Sequence, residues 1–420
     1  MIKHSLKSLL LTILLLTFVL LNSCTSNPGT ISQSSQTPLR GEILRWAEIP
    51  LGLTQKQSRQ FKAIVTERIE QFMKLNPGVK IVTEFVPADE NLSKFSQQIE
   101  RGAGPDLFSV ALLTDKLPLL IRLGYIKSLD EKQLDLSEFR AETLKQVRYH
   151  GKLYALPVNL ATQVLCYNKN KVQEIPKTLD DLITQARQGY SVGLHSGFRE
   201  AFWGTGAFGG ELFDKSDRLV LGENKGWAKW MQWLKDAENE PNFFMIEEAN
   251  ILQKTFIEGK LSYITCSSTW LPSLTEALGN NNLGVTLLPG RENQPATPPL
   301  WTVGFIFNRA SNINQHQLAL KLSQFLSNRQ SQKKIQVEVP FLIPVNKNAT
   351  VDFRLFPMQA VLVEQSKTGV VVSLDQGDQN QAIWKYADIL YHKILEGELT
   401  AEEAGWQINQ VINTQFEQSQ

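Results

Sequence analysis

Nine tryptophans stand in this chain of 420 residues, and the chemistry their type and surroundings offer is recognition. An indole offers a ligand a flat apolar face, and polar groups at the edge of such a ligand need donors and acceptors once water is excluded. Trp227, Trp230 and Trp233 recur at helical spacing in GWAKWMQWLKDA and read as a helix core, while Trp406 reads as packing or surface in the terminal helix. The other five fall at element ends, where α/β domains meet their ligands. Trp46 ends the first expected strand with Glu48 just beyond, Trp203 follows Arg199 and Glu200 in REAFW, and Trp270 follows YITCSS. Trp301 opens WTVGFIFN and Trp384 lies in AIWKYA.

Bond-making chemistry has weaker support. The carboxylate pairs Asp180-Asp181, Glu247-Glu248 and Glu402-Glu403 are adjacent, and adjacent residues on a helix do not face each other, so they read as solvated faces or first-turn acids. Gly204 to Gly209 spells GxGxxG but follows a helix-like REAFW, with no strand acid about 20 residues on, which argues against a dinucleotide site. The five histidines are isolated, and neither HExxH nor GxSxG occurs. No enzyme activity, cofactor or metal is therefore expected. Two glycosidase carboxylates can come from distant segments, so a surface-anchored glycoside hydrolase or esterase is the competing reading. A formal net charge of +1 offers no basic field for nucleic acid.

The elements that must position these residues begin after a processing signal. Lys3, His4 and Lys7 precede an apolar stretch, Leu9 to Leu21, of 13 residues, short of the ~20 that span a bilayer. Leu21-Asn22-Ser23-Cys24 resembles a bacterial lipobox. It implies cleavage before Cys24 and lipidation of that residue, and two or more acyl chains hold a protein stably at a membrane. TSNPGTISQSSQTPLR, residues 25 to 40, reads as a flexible leash.

From residue 41 the pattern is strand, helix, strand, helix, strand: EILRWAEI, a helix through Phe61, Ile64, Val65, Ile69, Phe72 and Met73, VKIVTEFVP, a polar helix, and DLFSVALL. That alternation predicts a parallel sheet with helices on both faces. VRYHGKLYALPVNLATQVLCYNKN (147 to 170) predicts a hairpin and a long extended stretch. Pro157 within it suits a crossing between lobes better than a central strand. A second α/β region runs to about 300, and helices at 381 to 396 and 400 to 415 end the chain. Cys166 and Cys266 sit in apolar runs, so buried free thiols are the simpler expectation and a single bridge the alternative.

GAGPDLFSV, the 147 to 170 segment, PKTLDDL, FIEGKLSYITCSSTW, NNLGVTLLPG and NQAIWKYAD occur in order along the chain. Together they resemble family 1 of the extracellular solute-binding proteins, the sugar receptors of ATP-driven importers. The resemblance covers essentially everything from Gly41 on. It implies a two-lobed α/β periplasmic-binding-protein fold of type II. The N-terminal lobe takes 41–160 plus 301–342, the C-terminal lobe takes 161–300 plus 343–420, and hinge segments join them around a cleft.

It further implies a monomeric, non-catalytic lipoprotein at the periplasmic face of the membrane, capturing a sugar or sugar-like osmolyte for an inner-membrane ABC permease. Trp270 and Trp384 match stacking tryptophans of the maltodextrin receptor, and Trp203 lies where the family places further aromatics. Leu112, Leu113 and Thr114 stand where that receptor has charges, with Asp115 and Lys116 beyond, and Ala161 replaces an acid. Those departures weigh against maltodextrin itself. Gln163, beside Thr162, and Arg199 with Glu200 supply polar groups instead. The expected ligand-binding set is therefore Trp46, Glu48, Trp203, Trp270, Trp301, Trp384, Gln163, Arg199 and Glu200.

Overall fold

A computed structural model describes residues 39–50, 52–87, 91–112 and 116–415. Cys24, Leu113, Thr114 and Asp115 lie outside the described residues. In chain order the strands are β1 (Gly41–Glu48), β2 (Val79–Val86), β3 (Leu107–Ala111), β4 (Arg148–Tyr149), β5 (Lys152–Leu153), β6 (Leu156–Ala161) and β7 (Gln163–Asn168). They continue with β8 (Val192–His195), β9 (Phe243–Ile246), β10 (Tyr263–Ser267), β11 (Leu283–Thr286), β12 (Trp301–Phe307) and β13 (Ile343–Pro344).

Two sheets organise the molecule: one of six strands ordered β13-β6-β12-β3-β1-β2, and one of five ordered β11-β7-β10-β8-β9. The first draws on residues 41–161 and 301–344, the second on 163–286. β13 pairs with β6 in the first sheet, two residues past the expected boundary at 342. Just past it, Asn346 forms an isolated bridge to Phe139, outside the sheet.

β1 lies between β2 and β3, parallel to both, as βαβ connections require. The first of those connections is the helix Gln55–Leu75. Thr54 begins it with a capping box to Gln57, and Phe61, Ile64, Val65, Ile69 and Phe72 form its buried stripe. Asn76-Pro77-Gly78 ends it, with Gly78 at φ +101°. This helix and those at Ile313–Ser327 and Arg329–Glu338 contact one another. They cover the sheet face to which Arg45 and Phe305 point, and Trp46 and Phe108 look to the opposite face, as the period of two dictates.

Two expectations are corrected. Pro157 lies within β6, a strand with neighbours on both sides, rather than in the crossing. The missing N–H is tolerated because the β12 register shifts between Val303 and Gly304, and because two-residue β13 reaches only Asn159 and Leu160. Thr162 is the crossing point: its N–H donates to Ser268 Oγ (3.2 Å) and its carbonyl accepts from the Ser268 N–H (2.8 Å). Cys166 and Cys266, expected as free thiols, form a disulfide with Cα atoms 5.9 Å apart. β7 and β10 are antiparallel neighbours with Cys166 opposite Ile264 and Cys266 opposite Val164, so the two residues are cross-strand neighbours two positions out of register.

The second lobe packs aromatic on aromatic. Trp230 meets Trp203 at 4.9 Å and Trp233 at 5.0 Å between centroids, and its Nε1–H donates to the Ala201 carbonyl (2.7 Å). The GxGxxG glycines serve this packing: a Cβ on Gly204 would meet the Trp230 ring at 2.3 Å, and one on Gly206 would meet Thr297 at 2.2 Å. β9 and the helix Pro357–Ser366 were not expected from sequence. Among the described residues no helix is long and apolar enough to cross a membrane.

Candidate functional site

The edges of the two sheets face each other across Thr162. From the first come the ends of β1, β3 and β6 at Glu48, Ala111 and Ala161, with Trp301 opposite Ala161 at the start of β12. From the second come Ser267 and Thr269 at the end of β10. These six residues share the mouth of a cavity of about 330 Å³. Inward from the mouth, the space continues between the first sheet and its helices. Trp301 is half-buried and also lines a second space of about 50 Å³, with Leu112, Arg199, Asn380 and Trp384. One residue thus lines two spaces, each with contributions from both lobes.

The polar groups at the mouth come from several elements. Glu48 accepts at Oε2 from the Ala111 N–H (3.2 Å), which fixes a carboxylate at the edge of the opening. Ser267 caps the short turn that follows β10 by accepting from the Thr269 N–H (3.2 Å), and the two hydroxyls lie 2.8 Å apart. A hydroxyl pair of this kind can donate to one ligand oxygen and accept from another. Among the described residues no group of three His, Cys, Asp or Glu side chains could hold a metal ion.

The expected site residues divide. Glu48 and Trp301 line the larger cavity, and Trp301, Arg199 and Trp384 line the smaller. The Arg199 guanidinium lies 6.0 Å from the Trp384 ring, whose other contacts, Phe198 and Phe202, hold it nearly buried at 6% exposure. Gln163 is buried and donates from Nε2 to the Glu200 carbonyl (3.0 Å), so these two meet each other just inside the second lobe. Trp270 is half-buried against His195, ring to ring at 5.4 Å, next to Thr269 but outside the lining of either space.

Trp46 and Trp203 are fully buried, one against Phe108 and the other against Trp230. Both are core residues with no ring face open to the cleft. Asp106 is structural, accepting from the Leu44 N–H (2.9 Å) and the Ser311 hydroxyl (2.5 Å). Sequence reasoning passed over Ser267 and Thr269. The SST run after an apolar strand could have flagged them, because small hydroxyl residues past a strand end are free of the ladder.

The lobes touch on both flanks of the opening. On one side Gly52 abuts the Thr269 carbonyl, and Gln57 Nε2 donates to the Pro272 carbonyl (3.2 Å). On the other Lys145 pairs with Asp217, and the His150 N–H donates to Asp375. The two lobes thus touch on either side of the cleft.

Residues 67–352 match the bacterial extracellular solute-binding proteins, and the chain belongs to that family. Among its relatives, the galactooligosaccharide-binding protein of Bacillus subtilis is 25% identical over 78% of this chain and 80% of its own length. The maltotriose-binding protein of Pyrococcus abyssi is 27% identical over 66% of this chain and 62% of its own length. The crystal structure of the maltose-binding periplasmic protein of Listeria monocytogenes with maltose superposes with a TM-score of 0.74 at 19% identity, covering 90% of this chain and 98% of that one. At that identity the superposition shows a shared two-lobed fold.

Proposed function

We propose that this chain is the sugar receptor of an ATP-driven importer, a non-catalytic protein that captures a neutral mono-, di- or oligosaccharide or sugar-like osmolyte and presents it to membrane permease subunits. The observation that carries this reading is the half-buried Trp301 at a mouth built from both lobes, with Glu48, Ser267 and Thr269 lining it as well. Such a mouth offers a ring face and both hydrogen-bond polarities to one ligand. The names of the relatives point the same way.

The mechanism is hinge closure. Contacts to both lobes exist only in the closed form, so ligand shifts the open–closed equilibrium by its difference in affinity for the two. A thermal-shift panel of neutral sugars and polyols tests it, since a ligand at 100 times its Kd adds about 2.7 kcal/mol to stability. One or more members should raise the melting temperature in a saturable way and be recovered unchanged. A flat panel, or hydrolysed sugar, would sink the proposal.

Closure makes a specific demand on Gly52. A Cβ there would sit 1.8 Å from the Thr269 carbonyl oxygen in the other lobe. The left-handed φ of +79° costs a non-glycine residue about 1 kcal/mol or more, but open and closed forms bear that cost alike. The clash belongs to the closed form alone. Gly52→Ala is expected to weaken ligand binding at least about tenfold, an increment of about 1.4 kcal/mol, while the unliganded protein bears only the backbone strain and melts a few degrees lower. Calorimetric titration against the melting curve separates the two effects.

The address of the receptor is the membrane surface, held by lipid on Cys24. Tethering raises the effective concentration of receptor at a fixed permease. Cys24→Ser is expected to move the protein from the membrane fraction to the soluble fraction of fractionated cells with ligand affinity unchanged; retention in the membrane would refute the anchor.

A further inference from the structure

Behind the mouth, the cavity is an apolar chamber walled by Phe61, Val65, Phe305, Leu326, Ile335 and Ile343. Within it stands a charge with no counterpart. Arg45, on β1, lines the chamber at 3% exposure, and its Nε and Nη1 are buried without a hydrogen-bond partner. Its one described contact is the Phe305 ring, 5.8 Å from Cζ. Arg68, also buried and lining the chamber, spends its donors on neutral atoms, Ser331 Oγ and Gln71 Oε1.

The acids around them do not answer Arg45. Glu48 is three residues along β1, about 10 Å at strand rise, and its Oε2 is held by the Ala111 N–H. The neighbouring strand's Asp106 is engaged by Leu44 and Ser311. Buried charges are ordinarily paired, because leaving one alone costs several kcal/mol. A guanidinium kept unpaired beside an empty apolar volume has the form of a half-made ion pair.

We propose that the chamber is a binding site for a small amphiphilic monocarboxylate, its carboxylate paired with Arg45 and its apolar body filling the space between the first sheet and its helices. A polyhydroxylated sugar suits it less well: most of the wall is hydrocarbon, and the few polar side chains there, Asn159, Thr302 and Gln336 among them, do not replace the water around every hydroxyl. Guanidinium supplies parallel N–H donors suited to a carboxylate. The site is the inner part of the cavity whose mouth carries the ring-and-hydroxyl set, and the proposal does not rest on the sugar reading.

Octanoate is the probe, titrated calorimetrically into the full mature chain in low-chloride buffer, with 1-octanol and sodium chloride titrated in parallel. Octanoate should bind saturably with one site per chain, at least tenfold more tightly than 1-octanol, and chloride alone should give no saturable signal. Arg45→Met, which replaces an unpaired buried charge by a side chain of similar length, should fold and lose at least tenfold in octanoate affinity while keeping that for 1-octanol. Val65→Phe, which narrows the chamber and leaves the charge, should weaken both. The proposal is overturned if octanoate does not saturate, if chloride reproduces its signal, or if Arg45→Met binds octanoate as the unsubstituted chain does.

Discussion

Trp301→Ala is expected to lower affinity for the sugar by about 2–3 kcal/mol, roughly thirty- to two-hundredfold. The estimate follows from the apolar face lost, on the order of 100 Å² at about 25 cal/mol per Å², with the ring's specific contact to C–H groups in addition. Trp301 is half-buried and borders both spaces of the cleft. Its truncation therefore removes ligand contact and little core, and the melting temperature of the unliganded protein should fall only slightly. Trp384 makes the useful contrast. Packed on Phe198 and Phe202 at 6% exposure, its loss to alanine should cost stability by about 3–5 kcal/mol as a core cavity does. Trp270→Ala should weaken binding less than Trp301→Ala, because its ring lies against His195 beside the lining. If Trp301→Ala binds sugar as tightly as the unsubstituted chain, the cleft is wrongly placed.

Breaking the Cys166–Cys266 bridge carries the second large effect. The bond closes a loop with a sequence separation of 100 residues, and loss of a cross-link over so long a segment costs about 2–5 kcal/mol. That loop contains β8, β9 and most of the second lobe's aromatic core. The paired substitution Cys166→Ala with Cys266→Ala should shift the urea unfolding midpoint of that lobe downward. Dithiothreitol should do the same to the unsubstituted chain and leave the double variant unmoved. Equal midpoints for both proteins, with and without reductant, would show that the bridge contributes nothing. A buried bridge of this kind belongs with an oxidising compartment, in keeping with the expected export.

The succession of strands and helices in the first half was legible because amphipathic helices and apolar strands alternate there without ambiguity. The helix Gln55–Leu75 even announces its own start through Thr54 and Gln57. β9 was missed because four residues, FFMI, give no periodicity, and the helix Pro357–Ser366 because its apolar residues form no stripe. The disulfide stood only as the alternative because proximity across strands depends on sheet order, which spacing along the chain does not carry.

For the cleft, placement at strand ends pointed to Glu48 and Trp301, which line the larger cavity, but could not tell which way a side chain looks. Trp46 and Arg45 are neighbours on β1, and they point to opposite faces. The tryptophan that drew attention is core, and the arginine beside it lines the chamber. Trp203 shows the same limit, since a turn of four residues and two short 3₁₀ turns fold REAFWGTG back onto Trp230. Trp301 could not be ranked above its fellows until the β6–β12 pairing set it opposite Ala161.

The central claim, that the two lobes close on a neutral sugar at Trp301 and release it unchanged, is tested most directly by calorimetric titration of the mature chain with the sugar that the thermal panel selects, followed by chromatography of the recovered ligand. The predicted result is one site per chain, a Kd raised thirtyfold or more by Trp301→Ala, and sugar returned intact. Absence of saturable binding by any neutral sugar, or its return as hydrolysis products, would contradict it.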